Sequence, residues 1–507
     1  MLDLGTSLIA SVERDPRALA IVDGQTRFTY REWYTRISSL VAALDAMGLQ
    51  RGDRILTLMQ NRWENATLHW ACQLAGLVVT PLNWRAKADE VSHAVTDSEA
   101  RAVFYEAVAA PAVMAAPEAV ALPRVMAGEP TDGAASLSAM LAANAADALP
   151  RASAEDWSLM LYTSGTTSRP KGVPRRHRAE RAAAVAHVAQ NLYHHGERTL
   201  GVMPLYHTMG VRSLLATSLI GGTFVCLPRF DVAGALDAIE AEGVTNLYLV
   251  PTLYHDIVHH ESFAADRVKS VTKLGFAGAS MTDGLMKKLD EAFRPALFVN
   301  HYGSSEVYTF TIDQKAPLKP GSAGRAGINQ MIRVVPLGTT STQTAAAPGE
   351  EGEIIALLKG DESFEGYWKR PEATQKALRD GWYFTGDTGF FDADGDLFVT
   401  GRVDDMIITG GENVSPVEVE SCLSLHDKVL EVAVVGLPDE RWGKVVTAFV
   451  KRAGAITAKE LDDHCRTSGL ANFRRPRGYV FVDSIPKSPV GKLLRRKLVA
   501  GEYDSET

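Results

Sequence analysis

Four cysteines in 507 residues, Cys72, Cys226, Cys422 and Cys465, with no CxxC pair among them, suggest neither a structural zinc site nor a disulfide framework. That scarcity fits a reduced, cytoplasmic setting. Positive charge is also in deficit: 53 Lys and Arg face 61 Asp and Glu, a net charge of -8. This argues against a nucleic-acid partner, because a phosphate backbone is normally met by a basic face. A small anionic ligand needs only local basic groups. No apolar run reaches transmembrane length, and the opening MLDLGTSLIASVERDP lacks a basic stretch and a long apolar core, so a soluble, unprocessed chain with no membrane partner is expected. Apolar residues are not scarce. They make up 46% of the chain, and at this length they must divide between two or more domains.

What is present centres on Thr163-Ser164-Gly165-Thr166-Thr167-Ser168-Arg169-Pro170-Lys171-Gly172, which follows the apolar run Trp157 to Tyr162 and is placed as a loop leaving a buried strand. Gly165 and Gly172 allow close backbone approach to a bulky anion, the hydroxyls supply short donors, and Lys171 adds a compact positive charge. Together they suit a polyphosphate. The common nucleotide loop, GxxxxGK[ST], is absent, because here the second Gly follows the Lys. A phosphate loop of another kind is indicated, against the bland alternative of a polar surface turn.

Elsewhere α and β alternate. Phe28 opens a helix that runs through Ile37, Leu40, Val41 and Leu44 to about Gly48, followed by a strand at Arg54 to Met59 and an apolar helix around Thr67 to Ala75. Residues 106 to 153, dominated by alanine, predict helical decoration or a mobile connection. The run Arg175-Arg176-His177-Arg178 is of a kind that is usually a solvated face, followed by a helix to about His194. Short strands at Leu200 to Met203, Thr223 to Leu227, Asn246 to Val250, Lys273 to Phe276 and Ala296 to Asn300 alternate with helices at Val232 to Glu240, capped by Asp231, and Asp283 to Phe293. The fold class is therefore α/β: a large N-terminal domain of mixed, largely parallel sheets with packed helices.

Loops at the carboxyl ends of such strands are the expected ligand site. They hold Pro204-Leu205-Tyr206-His207, Ala277-Gly278-Ala279-Ser280 and Tyr302-Gly303-Ser304-Ser305-Glu306. Gly278, Ala279 and Ser280 are small enough to let a flat heterocycle lie on the backbone, and a carboxylate at Glu306 beside a polyphosphate suits Mg2+. Asp392-Ala393-Asp394-Gly395-Asp396 has its Gly at the wrong position for an EF-hand and is assigned to a hairpin turn. A boundary falls at about Arg402 to Asp404. Beyond it Ser415-Pro416-Val417-Glu418 is a capping box, strands follow at Glu431 to Val435 and Val445 to Val450, and Gly491-Lys492 presents one lysine before a basic helix. Residues 1–401 and 402–507 are the expected domains, the second a small mobile α+β unit.

These motifs, in this order, resemble the AMP-forming acyl-CoA synthetases of the adenylate-forming superfamily. Within it, GRVDDMIITGGENVSPVEVE, DERWG and ANFRRP look most like the bacterial benzoate and 4-chlorobenzoate CoA ligases. The resemblance implies a carboxylic acid activated by ATP to an acyl-AMP and passed to coenzyme A, with Mg2+ as the metal; an aromatic or cyclic acid is expected. It implies that Lys171 with Thr163, Ser164, Gly165, Thr166 and Thr167 holds phosphates, and that Gly278, Ala279, Ser280, Tyr302, Gly303, Ser304 and Ser305 help bind the nucleotide. Glu306 would hold Mg2+, Asp387 the ribose hydroxyls, and Arg402 ribose or phosphate. Lys492 would bridge the acid and the α-phosphate, and His207 would gate the thiol path. Asp404 matches the family's hinge; Arg85, Gly410, Gly411, Trp442, Phe473 and Arg475 would meet CoA. The acyl pocket would form around Tyr248, Met281, His301, Val307 and Tyr308 with Ser280, Tyr302 and Gly303, and with Thr208 and Met209 at its mouth.

Two positions depart from the family pattern: Ser168 stands where Gly is usual and Ser305 where Thr is usual. The polar pocket residues point either to an acid with a hydroxyl, oxo or second carboxyl group or to side chains that bond one another. Other readings are an adenylation enzyme that loads a carrier protein, against which the expected CoA contacts Trp442, Phe473 and Arg475 count, and a non-catalytic adenylate binder, which would be expected to lack Lys492 or Glu306. The partner is expected to be a small-molecule carboxylic acid, with a homodimer left open.

Overall fold

The computed structural model describes residues 2–163, 170–339, 341–403, 405–488 and 493–506. Among the described residues the strands form a 14-stranded sheet, a 7-stranded sheet, a 3-stranded sheet and a two-stranded ribbon. In the 14-stranded sheet the order from Leu19–Asp23 through Thr223–Cys226, Arg198–Gly201, Asn246–Leu249 and Lys273–Phe276 to Leu297–Tyr302 is parallel throughout. From Leu297–Tyr302 outward through Thr311–Asp313, Ser322–Ala326, Leu397–Arg402 and Trp382–Phe391 every pairing is antiparallel. Leu297–Tyr302 is the seam between the two patterns, and Tyr302 is its last residue. The 7-stranded sheet is parallel apart from its edge strand Lys171–Arg176.

The third sheet, Val429–Asp439, Gly443–Arg452 and Gly478–Phe481, packs with the helices Pro416–Ser424 and Ala458–Thr467 into a smaller C-terminal domain. Its buried residues run from Ile407 to Leu498 and form their own cores. It docks closely on the large domain: a Cβ at Gly284 would stand 2.4 Å from the Ser424 carbonyl oxygen, and His255 Nε2 lies 3.1 Å from the Leu430 carbonyl. Among the described residues no helix is long and apolar enough to cross a membrane.

Several local expectations are revised. Phe28 belongs to the strand Thr26–Thr29, and the helix starts at Tyr30 because Thr29 and Glu32 close a reciprocal capping box. The alanine-rich stretch contains strands Arg124–Ala127 and Ala135–Ser136 as well as short helices, since alanine leaves no period to read. The helix after the basic run stops at Gln190, where Asn191 and then Leu192, at φ 52°, leave helical geometry. Only half of the Ser415 capping box forms: Ser415 accepts from the Glu418 amide, but the Glu418 carboxylate pairs with Arg474. The helices capped by Asp231 and starting at Asp283 are present as expected.

Asp392 to Asp396 is the hairpin turn between Trp382–Phe391 and Leu397–Arg402. Its three carboxylates converge as a metal site would require, but Lys319 Nζ sits among them, pairing with Asp392, with Asp394 at 2.9 Å and with Asp396 at 2.7 Å. The ammonium takes the place a cation would fill.

Candidate active site

The strand Trp157–Thr163 and the edge strand Lys171–Arg176 form a hairpin with Thr163 opposite Lys171. Ser164, Gly165, Thr166, Thr167 and Ser168 lie outside the described residues, as do Asp404 and Lys492. Lys171 Nζ stands 4.1 Å from the centre of the Tyr367 ring, a cation–π contact. The Tyr367 hydroxyl donates to Glu306 Oε1 at 2.8 Å. One tyrosine thus holds the lysine and the carboxylate next to one another. Burial and the adjoining Glu306 carboxylate keep that phenol protonated, pushing its pKa up.

Glu306 is presented by a turn that needs its small residues. A Cβ on Gly303 would meet the Tyr308 carbonyl oxygen at 2.0 Å, and Ser304 Oγ accepts from the amides of Glu306 and Val307, each at 3.2 Å. Ser305 follows within that turn. Gly278, Ala279 and Ser280 form the neighbouring loop after Lys273–Phe276, with Ser280 exposed.

Asp387 lies opposite Arg402 on paired strands, with Arg402 Nη1 at 2.9 Å from its Oδ1. Tyr302 donates to its Oδ2 at 2.6 Å. Desolvation and the Asp387 carboxylate hold the Tyr302 hydroxyl well above the usual phenol range, so it remains a donor. Asp387 is therefore fixed at both oxygens. Lys171, Glu306, Asp387 and Arg402 combine cations for phosphate oxygens with a hard carboxylate suited to Mg2+ and a second carboxylate able to accept from hydroxyls.

The expected acyl-pocket residues only partly converge. Tyr248 and His301 meet at 4.9 Å between ring centres, and Tyr308 is joined to Tyr248 through Arg212, whose guanidinium lies 5.0 Å from the Tyr308 ring and donates to Tyr248 Oη at 3.3 Å. Met209 and Met281 pack in the same core as Tyr248, and Thr208 starts the helix Thr208–Leu219. Val307 does not join them: it is fully buried in a different core with Phe310 and Phe364, because the turn at Ser304 directs it away. His207 caps the Thr208–Leu219 helix, its Nδ1 accepting from the Met209 amide at 3.3 Å. Asn61 pins the loop before it, donating to the Gly201 and Met203 carbonyls and accepting from the Leu205 amide.

Of the residues expected at CoA, Gly410 and Trp442 are in contact: a Cβ at Gly410, whose φ is +58°, would stand 2.7 Å from the indole, and the Gly410 amide donates to the Trp442 carbonyl. Gly411 continues that turn. Phe473 is exposed, with Arg474 stacked on it. Arg475, expected at CoA, is half-buried and paired with Asp462, which holds its Nη1 at 2.5 Å, while Arg477 lies over the Trp442 ring. Arg85 stacks on Trp84 at 3.6 Å, at the wall of a cavity of about 200 Å3 that Tyr206 and Arg229 also line.

The basic run is not simply a solvated face. Arg175 is completely buried, bonded to Glu180 at 2.8 Å and to the Glu306 carbonyl at 2.9 Å, with its guanidinium 4.0 Å from the Tyr308 ring. Arg176 and Arg178 both pair with Glu365, and His177 Nδ1 accepts from the Leu4 amide. Tyr367, Arg212, Asn191, His187 and Arg477 contact the expected site residues but were passed over by sequence reasoning; the first four are distant in sequence from the motifs they touch, and Arg477 directly follows ANFRRP.

Two family models match the chain: AMP-binding enzyme over residues 8–368 and AMP-binding enzyme C-terminal domain over residues 418–492. A 4-chlorobenzoate–CoA ligase of Arthrobacter sp is 34% identical over 497 residues, which is 96% of this chain and 93% of that protein. A feruloyl-CoA synthase of Amycolatopsis sp is 35% identical over 498 residues, 97% of each. Among solved structures, the anthranilate CoA ligase AuaEII in complex with anthranoyl-AMP superposes with a TM-score of 0.90 at 25% identity, covering 99% of this chain and 97% of that one. ATP-bound MatB from Rhodopseudomonas palustris gives 0.87 at 28% identity, covering 99% of both.

Proposed function

The chain belongs to the AMP-binding enzyme family as an AMP-forming carboxylate–CoA ligase that uses ATP, Mg2+ and CoA, and we propose how its own residues divide that work. The observation that supports the division best is Asp387, fixed between Tyr302 and Arg402 at the carboxyl end of the seam strand. Its place there suits acceptance from ribose hydroxyls, while Arg402 adds positive charge beside the phosphates. Lys171, with Thr163, Ser164, Gly165, Thr166 and Thr167, holds the β and γ phosphates. Gly278, Ala279, Ser280, Gly303, Ser304 and Ser305 frame the nucleotide. Glu306 holds Mg2+, which when bound neutralises charge on phosphate oxygens.

A carboxylate resists thiol attack until it is converted to a mixed anhydride with AMP as leaving group. Lys492 supplies positive charge where the acid's oxygen attacks the α-phosphate, and it stabilises the charge that develops there. Residues 1–401 and 402–507 act as two units about Asp404, so that rotation removes Lys492 and brings Gly410, Gly411 and Trp442 to the thiol entry. The separate cores of the small unit favour such a motion. His207 lies at the mouth of the thiol path. Arg477 on Trp442, with Arg85 and Phe473, is suited to the anionic and flat parts of CoA; Arg475 joins only by leaving Asp462. The buried aromatic group around Tyr248 and His301 favours an aromatic or cyclic acid. The net charge of -8 argues against nucleic acid, and the free cysteines suit a cytoplasmic protein.

Asp387→Asn tests the assignment. It keeps an oxygen for Tyr302 but removes the charge facing Arg402, so KM for ATP is expected to rise about tenfold, with a smaller change for the acid. An unchanged KM for ATP in steady-state assays contradicts the role given to Asp387.

A further inference from the structure

Behind Tyr248 the fold buries a set of polar side chains whose hydrogen-bonding capacity is left half used. His187, Asn191, Arg212, Tyr248 and His301 are each 1–3% exposed. Asn191 bridges the two imidazoles. Its Nδ2 donates to the His187 carbonyl at 2.8 Å, which sets the amide orientation, and lies 3.2 Å from His187 Nδ1. Its Oδ1 faces His301 Nε2 at 3.0 Å. Burial, with the Arg212 charge nearby, drives both imidazoles well below the ordinary histidine range, so both are neutral and each has one donor and one acceptor nitrogen.

The tautomers follow. His187 Nδ1 accepts from Asn191, so its proton is on Nε2; His301 Nε2 donates to Asn191, so its Nδ1 carries a lone pair. Those two atoms, His187 Nε2 and His301 Nδ1, have no hydrogen-bond partner among the described residues, and Arg212 Nε has none either. The rings that bear them stack at 5.1 Å, and each lies within 5 Å of Tyr248, to which Arg212 also donates. Unpaired buried polar atoms are costly to a fold. Three of them lie around Tyr248, two on elements that carry the proposed acyl pocket, Thr208–Leu219 and Leu297–Tyr302, and the third on the neighbouring helix His177–Gln190.

Two of the free groups donate and one accepts. A carboxylate or a halogen cannot donate to His301 Nδ1, whereas a hydroxyl both accepts and donates. We propose that His187, Arg212 and His301 select an aromatic acid bearing a hydroxyl group on the ring, remote from the carboxylate that is activated. This rests on the acyl-pocket assignment above and extends it to the identity of the acid.

The test is the ratio of kcat/KM, from AMP release, for 3- and 4-hydroxybenzoate against benzoate, 4-chlorobenzoate and terephthalate. At least one hydroxybenzoate is expected to exceed the chloro compound by about a hundredfold, since a site built around a hydroxyl rejects analogues that lack it. His301→Phe and His187→Phe are expected to reduce that ratio to within about threefold of unity. Independently of any variant, the sulfamoyl-adenosine analogue of the favoured hydroxybenzoyl adenylate should raise the melting temperature of the unmodified protein more than the chlorobenzoyl analogue does. Preference for 4-chlorobenzoate, benzoate or terephthalate overturns the inference while leaving the ligase assignment standing, as does equal handling of all, which would mean that the free atoms serve buried water. Failure of every acid in the panel, with AMP formed from aliphatic acids instead, overturns both this inference and the aromatic pocket; failure with all acids rejects the ligase assignment itself.

Discussion

Arg175→Met is expected to lower the unfolding free energy of the protein by about 3–5 kcal/mol, because it leaves a buried carboxylate without its partner. Arg175 and Glu180 both have fully buried side chains at 2.8 Å, and Glu180 also accepts from the Tyr308 hydroxyl at 3.0 Å. Methionine fills most of the volume, so the loss is chiefly electrostatic. The double variant Arg175→Met, Glu180→Leu removes the orphaned charge and is expected to recover more than half of the loss, although Tyr308 then lacks an acceptor. Arg175 also donates to the Glu306 carbonyl, so the single variant should raise the Mg2+ concentration needed for half-maximal activity through a displaced Glu306. Urea unfolding followed by tryptophan fluorescence measures the first effect. A shift below about 1 kcal/mol would show that the pair is replaceable by packing alone.

Lys492→Ala is expected to slow acyl-adenylate formation by about 100- to 1000-fold, the cost of removing one positive group aimed at charge that develops in the transition state. Thioester formation from synthetic acyl-AMP and CoA should stay within about threefold of the original rate, because the proposed rotation takes the lysine out of that step. Trp442→Ala should do the reverse, raising KM for CoA and sparing adenylation. Acid-dependent pyrophosphate exchange reports the first half-reaction and single-turnover thioester formation the second. Equal loss in both halves for Lys492→Ala contradicts the two-position account.

The sequence patterns that were legible share one property: they are local. The hairpin at Asp392 to Asp396, the Asp231 cap and the turn Tyr302 to Glu306 are each defined by residues within a few positions of one another. Tyr367 illustrates the opposite case. It joins Lys171 to Glu306 from 61 residues beyond the glutamate, and nothing in its own neighbourhood marks it as a site residue. Arg175 was hidden for a different reason: charge in a basic run ordinarily means exposure, and only the tertiary meeting of Glu180, Glu306 and Tyr308 inverts that rule. Val307 shows the limit of residue-by-residue transfer, since the Ser304 turn sends it into a separate core although its sequence neighbour Tyr308 reaches the Arg212 cluster. Arg475 shows another, since Asp462 claims the guanidinium and Arg477 occupies the face of Trp442. Sequence position located the site; the side-chain partners decided which residues are free to use it.

The most direct test of the central claim is an assay of carboxylic acids with ATP, Mg2+ and CoA in which AMP and acyl-CoA are followed together. Benzoates, hydroxybenzoates, cinnamates, cyclohexane carboxylates and short aliphatic acids form the panel. The account predicts AMP and thioester appearing in step for an aromatic or cyclic acid, with CoA alone as acceptor. Pyrophosphate release without a thioester would contradict it and place a carrier protein, not CoA, at the end of the reaction.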